Sequence, residues 1–370
     1  MQKPLEQRSL YFIVGCPRSG TYLLSAILNA SGRIAIPTET HFVPLFQPCL
    51  WIAGDLRRPG ARKRLLRAIF IFLRIWLARA EEERDFAAVT RHSLLAIENE
   101  SSRIADDASN YASLVGGLFA AYARRQGVMD AGDKSAFFDH MPLEQIDTSM
   151  AGHARFIHVI RDGRDVCSSW RKIKVGPRSV SEAATAWTRH FEGKTAWGRL
   201  NPDRYLEVRY EHLLESPRDT LHKVCSFIGF DYSDALLDFH AASFARDIGN
   251  SSTHPRLNQP LDPTNQGKWR QELTAEEVRE FEGIAHVALA AGGYGLSAPL
   301  AQGGLPRERD KIFLSSHRAR LALKEVLPAC ALCAAWLHLP LDRLCNSRIW
   351  LRIEFWLTRN PSMDQGISGR

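Results

Sequence analysis

The stretch that decides the fold is YFIVGCPRSGTYLLSAIL, residues 11–28, in which an apolar run is interrupted and then resumes. Residues 11–14 are typical of a short buried strand, and residues 22–28 continue with helical spacing. Between them, Gly15 and Gly20 allow the backbone to turn sharply and to approach a ligand closely. A strand, a glycine-bearing loop and a helix N-terminus together direct several N–H groups and a helix dipole at one point. That point favours an anion.

The polar residues of this loop narrow the choice of anion site. Arg18, Ser19 and Thr21 add donors suited to phosphate or sulfate oxygens. The two glycines have the spacing of a nucleotide triphosphatase loop, but Thr21 stands where that loop needs lysine. A cysteine phosphatase would use Cys16 as its nucleophile and an arginine six residues later, where this chain has Tyr22. The sequence therefore matches neither of these two loops, because it lacks the residue on which the chemistry of each depends.

Further apolar runs extend the pattern of alternating strands and helices. RFIHVI at 155–160 and RYLEVRY at 204–210 predict buried strands, each followed by a helical stretch, which after the first strand is expected to begin at CSSWRKI, residues 167–173. A shorter extended piece is expected at 34–44, and GDK at 132–134 is expected to begin a loop. This alternation predicts an α/β, three-layer, P-loop-like fold with a mostly parallel central sheet.

Three candidate ligand-binding residues follow directly after predicted strands. They are Arg18, Arg161 and Tyr210. Ligands of open α/β sheets bind at the carboxyl ends of the strands. We therefore expect these three side chains to share one site.

Changes of character along the chain predict its domain organisation. Residues 1–297 are expected to form one domain with a helical insertion at about 50–127. The insertion includes an amphipathic helix at 61–84, either packed on the domain or facing an acceptor or a membrane. Thr274 and Glu277 have capping-box spacing at the start of a late helix. Residues 298–370 form a basic and apolar helical extension that either packs on the domain or lies on a membrane.

Composition sets limits on partners and compartment. The chain has 370 residues, is 45% hydrophobic and carries a net charge of +7. This charge fits anionic ligands or a membrane surface, and no nucleic-acid-binding motif accompanies it. The seven cysteines have neither C-x-x-C pairs nor metal-ligand spacing, which predicts reduced thiols and no bound metal. The first residues lack the apolar core of a signal peptide. The expected location is cytoplasmic, with membrane association left open.

Four segments together resemble the PAPS-dependent sulfotransferase family, in its tyrosylprotein and bacterial branch. FIVGCPRSGTYLL resembles the family's 5′-phosphosulfate loop, and FIHVIRDGRDVCSSW resembles its 3′-phosphate motif. VRYEHLLESP and QGKWR resemble its strand-end tyrosine segment and its late nucleotide-binding loop. The resemblance covers about residues 10–295. It implies transfer of a sulfuryl group from 3′-phosphoadenosine-5′-phosphosulfate (PAPS) to an acceptor hydroxyl or amine by in-line displacement.

The resemblance also implies which residues bind the two charged ends of the donor. Arg161 and Ser169, eight residues apart, would hold the 3′-phosphate, and Tyr210 would reach the adenosine or that phosphate. The remaining binding residues lie in the first loop and the late loop: Arg18, Ser19, Gly20, Thr21, Tyr22, Gly267, Lys268 and Trp269. The alternative for Arg161 is a structural surface ion pair with Asp162 or Asp165, and Arg164 is expected to be structural or solvated.

The implied catalytic residues come from two further segments. Glu39, in TETHFVP, lies twenty-one residues after Arg18, as does the base of the tyrosylprotein-type enzymes. His140, in HMPL, is the alternative base, after the histidine of the small-molecule enzymes. Lys134 would stabilise the departing nucleotide together with Arg18, without a metal.

The sequence departs from the family pattern at two positions. Gly267 stands where the tyrosylprotein-type enzymes have serine, so a backbone N–H must replace that hydroxyl or the late loop contributes less. Tyr22 replaces the second threonine of the common R-S-G-T-T loop.

Two other functions stay open at this point. One is a P-loop-like small-molecule kinase, and the other is a non-enzymatic nucleotide-binding protein at a membrane. The acceptor itself is not specified: carbohydrate, lipid, peptide and natural product all remain, with the apolar stretches favouring a membrane-associated one. The oligomeric state is likewise open.

Overall fold

The protein is described here by a computed structural model. It describes residues 10–38, 40–80, 91–134, 143–172, 177–250, 254–297, 328 and 331–333, with side chains 78–80 excepted. Two predicted residues, Glu39 and His140, lie outside the described residues, as does most of the segment 298–370.

A five-stranded sheet forms the centre of the molecule. Its strands are β1 (Leu10–Gly15), β2 (Ile34–Ala35), β3 (Asp130–Lys134), β4 (Ala154–Ile160) and β5 (Tyr205–Arg209). Their order is β2-β3-β1-β4-β5, and all four pairings are parallel. The most apolar strand, β1, therefore occupies the middle, paired with β4 along its whole length. The predicted α/β fold with a mostly parallel sheet is confirmed.

Strand β3 corrects the prediction that GDK at 132–134 begins a loop. The pattern DAGDK offers no apolar alternation, so its strand character comes from tertiary pairing rather than from local propensity. It is inserted between β1 and β2, with Gly132 paired to Tyr11. A Cβ atom on Gly132 would lie 2.9 Å from the Tyr11 carbonyl oxygen, so the close strand approach requires glycine there.

The helices surround this sheet. In chain order they are α1 (Thr21–Ala30), α2 (Phe42–Phe46), α3 (Leu50–Ala53), α4 (Pro59–Ala80), α5 (Ser101–Asp107), α6 (Tyr111–Arg125), α7 (Leu143–Ser149), α8 (Gly163–Trp170), α9 (Val180–Leu200), α10 (Tyr210–Glu215), α11 (Pro217–Ile228), α12 (Ser243–Gly249), α13 (Trp269–Glu272) and α14 (Ala275–Ala291). Short 3₁₀ turns lie at Gln47–Cys49, Leu94–Glu100, Pro202–Arg204, Asp234–Ala241 and Pro255–Asn258.

Three hydrophobic clusters hold the layers together. One face of the sheet, with Phe12 and Phe156, packs on α4 and α6. The other face, with Ile13 and Ile157, packs on α1 and α11. The third cluster joins α8, α9 and α14 beside the carboxyl end of β4. The alternation of β1 side chains between the first two clusters explains why a short strand can anchor both outer layers.

Helix α4 packs on the domain. Its apolar residues, Leu65 and Phe72 among them, are buried in the first cluster. Arg62 is also buried, and its guanidinium donates to the carbonyl oxygens of Ala105 and Leu56. These contacts favour the packed alternative for the helix predicted at 61–84, whose residues 81–84 lie outside the described residues. Within the described ranges, no helix combines the length and the apolar character needed to cross a membrane.

The end of the domain shows the predicted capping box and, beyond it, a buried piece of the C-terminal extension. The capping box of α14 is confirmed, since the Thr274 hydroxyl accepts from the Glu277 N–H and the Glu277 carboxylate accepts from the Thr274 N–H. Beyond position 297, Ala331 and Leu332 are buried in the first cluster. That short piece of the extension therefore packs on the domain, and the domain boundary at 297 stays a prediction.

Candidate active site

The loop after β1 forms a tight turn. Arg18 and Gly20 both adopt left-handed backbone conformations, with φ of 74° and 98°. The Ser19 N–H donates to the Cys16 carbonyl at 3.0 Å, and α1 begins at Thr21. A Cβ atom on Gly20 would lie 2.4 Å from the Tyr210 ring, so this position requires glycine for both conformation and space. The loop thus places the N-terminus of α1 beside Tyr210.

Two buried polar atoms, one at this turn and one at the turn after β4, lack a hydrogen-bond partner within the described part of the chain. They are the Ser19 hydroxyl, whose residue is 1% exposed, and the Arg161 Nε. Leaving a buried donor unpaired costs about 1–3 kcal/mol, so each such atom calls for an explanation, and a bound anion supplies one. An oxyanion with several acceptor oxygens fits both of them.

The turn after β4 lies against the turn after β1. The Arg161 Nη1 donates to the Arg18 carbonyl oxygen at 3.2 Å, and its Nη2 donates to the Asn265 carbonyl oxygen at 3.1 Å. The guanidinium also lies over the Tyr210 ring, 4.3 Å from its centroid. The structure therefore brings together the three strand-end residues that the sequence placed at one site.

The Arg18 side chain reaches from its own loop to α8. Its Nε donates to the Ser169 hydroxyl at 3.1 Å, and its Nη1 lies 3.4 Å from the His254 Nε2. The sequence assigned Arg18 and Ser169 to opposite ends of the donor, whereas the structure joins them directly. The two predicted anion sites are thus contiguous.

The late loop is fastened to α8 by Asp165. Its buried carboxylate accepts from the N–H groups of Gly267 and Trp269 at 2.7 and 2.9 Å. The amide that would replace the family's serine at Gly267 is therefore already bonded. Trp269 is buried in the third cluster under the Arg164 guanidinium, 3.9 Å from its ring centroid.

Lys268 is the cation that the late loop presents beside this anchor. Its side chain is half-buried. Burial, aided by the charge of Arg256, holds the pKa of Lys268 below its usual value. A bound phosphate would favour the charged ammonium there.

Arg164 has a structural role, as predicted, but it is buried rather than solvated. Its guanidinium pairs with Asp162 at 2.8 Å and with Glu282 at 2.6 Å. Asp162 also caps α8 by accepting the Arg164 N–H. Helix α8 therefore begins at Gly163, earlier than the predicted start at CSSWRKI, and this places Arg161 directly before a helix N-terminus.

Lys134 lies at the carboxyl end of β3, and it is only 1% exposed. Its ammonium is 3.4 Å from the centroid of the Tyr22 ring. The Tyr22 ring in turn lies 4.3 Å, centroid to centroid, from the His254 ring. The predicted leaving-group lysine therefore belongs to the same group of side chains as Arg18.

The neighbours of Glu39 are fixed on both sides. The Thr38 N–H donates to the His92 carbonyl oxygen at 2.6 Å. The Thr40 hydroxyl donates to the Asp133 carboxylate at 2.8 Å, and Asp133 precedes Lys134 on β3. These contacts tie the segment that carries the predicted base to the strand that carries the predicted lysine.

No sequence motif indicated His254 or Asn265, and Asp165 was expected only as an ion-pair partner of Arg161. The latter contact exists at 3.7 Å, but the amide contacts of Asp165 are shorter. No group of three or more potential metal-ligating residues was found within the described ranges. Donors, buried cations and a helix N-terminus thus make up the site, which suits transfer of a negatively charged group.

Comparison with known proteins identifies the family. A family model described as "Sulfotransferase family" matches residues 11–234. The chain is 25% identical over 320 residues to protein-tyrosine sulfotransferase 1 of Danio rerio, covering 84% of this chain and 78% of the relative. It is 23% identical over 302 residues to protein-tyrosine sulfotransferase 2 of Gallus gallus, covering 78% and 70%.

A solved structure agrees with the fold. The sulfotransferase domain from the curacin biosynthetic pathway superposes with a TM-score of 0.54 at 18% identity, covering 78% of this chain and 99% of that domain. The motif of residues 11–28, the parallel sheet around it and the family model spanning more than half of the sequence lead to one conclusion: this chain belongs to the sulfotransferase family.

Proposed function

We propose that this sulfotransferase moves the sulfuryl group of PAPS to an acceptor hydroxyl by in-line displacement. The observation that carries the proposal is the direct contact between the two arginine turns, in which Arg161 donates to the Arg18 carbonyl oxygen and Arg18 donates to Ser169. A donor with a phosphosulfate at one end and a 3′-phosphate at the other requires two adjoining anion sites at one sheet edge.

In this proposal, different residues of the site bind different parts of the donor. The Ser19 hydroxyl and the N-terminus of α1 would hold the phosphosulfate, and Arg161 with Ser169 would hold the 3′-phosphate. Tyr210 would pack beside the adenosine, and Lys268 would approach a phosphate from the late loop. The buried Ser19 hydroxyl and Arg161 Nε support this assignment, because both are donors that lack a partner among the described residues.

The reaction itself needs a base and a group that stabilises the leaving nucleotide. Glu39 would take the acceptor proton while the acceptor oxygen bonds to sulfur. The bond between sulfur and the bridging oxygen breaks, and the Lys134 ammonium would stabilise the charge that develops on that oxygen. His140 remains the alternative base. No metal is required by this arrangement.

For the acceptor, we propose a tyrosyl peptide as the first candidate. The support is the similarity to proteins described as protein-tyrosine sulfotransferases, at 25% identity or less. Carbohydrate, lipid and natural-product hydroxyls are the competing acceptors, and an amine is the alternative nucleophile.

The donor site is tested by calorimetry with adenosine 3′,5′-bisphosphate and with adenosine 5′-monophosphate. The wild-type protein should bind the bisphosphate more tightly. Arg161→Ala should weaken bisphosphate binding by about 2–4 kcal/mol, and it should reduce the preference over the monophosphate. Ser169→Ala, which keeps Arg161, should lose about 1 kcal/mol.

Arg218→Ala is the matched control, because Arg218 forms an exposed ion pair with Asp234, a residue outside the proposed site. It should leave both affinities unchanged. If the wild-type protein gives no heat with the bisphosphate, the proposed donor is wrong.

The acceptor is tested separately, by incubation with sulfur-labelled PAPS and tyrosyl peptides or a cell extract. Label in another hydroxyl class would replace the tyrosyl proposal and keep the donor.

A further inference from the structure

Tyr22 occupies the place of a hydroxyl residue in the common form of this loop, and its ring has a defined neighbour on β3. The Lys134 ammonium lies 3.4 Å from the Tyr22 ring centroid, and the two residues are 1% and 6% exposed. A cation over an aromatic face is attracted by the ring quadrupole, most strongly where water is excluded. The ring face therefore contributes to the position of the buried ammonium.

His254 lies against the same ring. The Tyr22 and His254 centroids are 4.3 Å apart with an interplanar angle of 57°. The His254 Nε2 lies 3.4 Å from the Arg18 Nη1. Because a guanidinium only donates hydrogen bonds, the imidazole is the acceptor in this contact.

These contacts form a continuous series from one predicted cation to the other. Lys134 contacts Tyr22, Tyr22 packs on His254, His254 accepts from Arg18, and Arg18 donates to Ser169. Lys134 ends β3, whereas Arg18 lies in the loop after β1. A π-face and an imidazole acceptor lie between them in this series, and each attracts the cation that it contacts.

We propose that Tyr22 and His254 are positioning residues, an aromatic pair that sets the Lys134 ammonium and the Arg18 guanidinium at the spacing required by the donor. The inference rests on the proposed function. It assigns the tyrosine at position 22 a task that the threonine of the common loop cannot perform, because threonine has no ring face.

The two members of the pair should affect different kinetic constants. Lys134 acts on charge that develops only as the sulfur–oxygen bond breaks, so disturbing it lowers kcat more than donor binding. Arg18 meets charge that is already present in the bound donor, so disturbing it weakens binding. Tyr22 should therefore act mainly on kcat and His254 mainly on affinity.

The test is a series of variants at position 22, followed by steady-state kinetics with PAPS and calorimetry with adenosine 3′,5′-bisphosphate. Tyr22→Leu and Tyr22→Thr remove the ring, and both should lower kcat by about 30-fold while KM for PAPS changes less than about fivefold. Tyr22→Phe keeps the ring face and should retain at least about half of the wild-type kcat. Restoration by phenylalanine separates a ring effect from a hydroxyl effect.

His254→Ala should weaken bisphosphate binding by about five- to tenfold, with a smaller change in kcat. His254→Gln supplies an amide acceptor and should recover part of that affinity. The matched control is Tyr232→Leu, which breaks a second tyrosine–histidine pair, formed with His222 of α11 at a centroid distance of 4.5 Å. Its kcat and its nucleotide affinity should equal those of the wild type.

Two results would overturn the inference. One is a Tyr22→Leu or Tyr22→Thr enzyme with wild-type kcat, and the other is a Tyr22→Phe enzyme as impaired as Tyr22→Leu. Retained bisphosphate binding shows that each variant is folded, and if leucine prevents folding the threonine variant decides. Failure of the proposed function is distinct, since the wild-type protein itself would then give no heat with the bisphosphate.

Discussion

At the residue scale, the site combines side chains that are close in sequence with others that arrive from far away. Arg18 and Ser19 belong to a local loop pattern whose residue types indicated an anion site, and Ser169 was indicated by the resemblance to a family motif. His254 contacts Arg18 across 236 positions, and the Asn265 carbonyl oxygen accepts from Arg161 across 104. No local pattern marks such partners, because only the folded chain brings their loops to the edge of the sheet.

The predicted base gives a test at this scale. Glu39→Gln should abolish turnover, because a neutral amide cannot accept the acceptor proton, while bisphosphate affinity stays close to that of the wild type. Single-turnover rates with labelled PAPS, together with calorimetry, provide the two measurements.

His140→Ala is the companion variant for that test. It should retain most of its activity if Glu39 is the base. An active Glu39→Gln enzyme beside an inactive His140→Ala enzyme would transfer the role to the histidine.

At the scale of elements, hydrophobic patterns identified β1, β4 and β5 but not β3. The DAGDK segment forms a strand because β1 and β2 supply its hydrogen bonds, and only its pairing shows this. The start of α8 was also placed too late, because Asp162 caps the helix at a position that reads as a polar turn. Both elements carry predicted site residues, Lys134 and Ser169. The prediction therefore named these residues but did not place them correctly in a strand and in a helix.

The joint between α8 and the late loop gives the second test. Asp165→Asn replaces a carboxylate that accepts two backbone N–H groups by an amide with one acceptor oxygen. We expect the free energy of unfolding to fall by about 1–3 kcal/mol, because a buried N–H loses its partner. Bisphosphate affinity should fall as well, since the loop that presents Lys268 is released.

Urea unfolding and calorimetry measure the two effects of Asp165→Asn. Asp234→Asn is the control, since its partner Arg218 and its own side chain are both largely exposed. Its stability should change by less than about 0.5 kcal/mol. Equal stability of the Asp165→Asn protein and the wild type would show that the joint is not required.

At the scale of the whole molecule, the central sheet and helix α9 carry buried polar residues that no sequence motif indicated. His158, in the middle of β4, is 1% exposed, and its Nδ1 lies 2.5 Å from the Tyr205 hydroxyl on β5. Lys194 and His190 on α9 are buried as well, with 3.1 Å between the Lys194 Nζ and the His190 Nδ1. An apolar strand pattern predicts burial but not the protonation state of a histidine inside it. These buried polar contacts could therefore be identified only in the folded structure.

The protonation state of His158 makes the stability of the whole fold depend on pH. Burial, reinforced by the charge of Lys194, holds the pKa of His158 well below its usual value of 6.5. The folded protein thus keeps the imidazole neutral, while the unfolded chain binds a proton once the pH falls below about 6.5. Stability from this group is complete above that pH and declines below it, by at most about 1.4 kcal/mol per pH unit. Urea unfolding at pH 7, 6 and 5 should show the decline. The His158→Gln protein should lose the part of the slope of unfolding free energy against pH that one proton contributes, even if it is less stable at every pH. A slope that is identical in the two proteins would mean that His158 is protonated equally in the folded and unfolded states, against the burial that the sheet imposes on it.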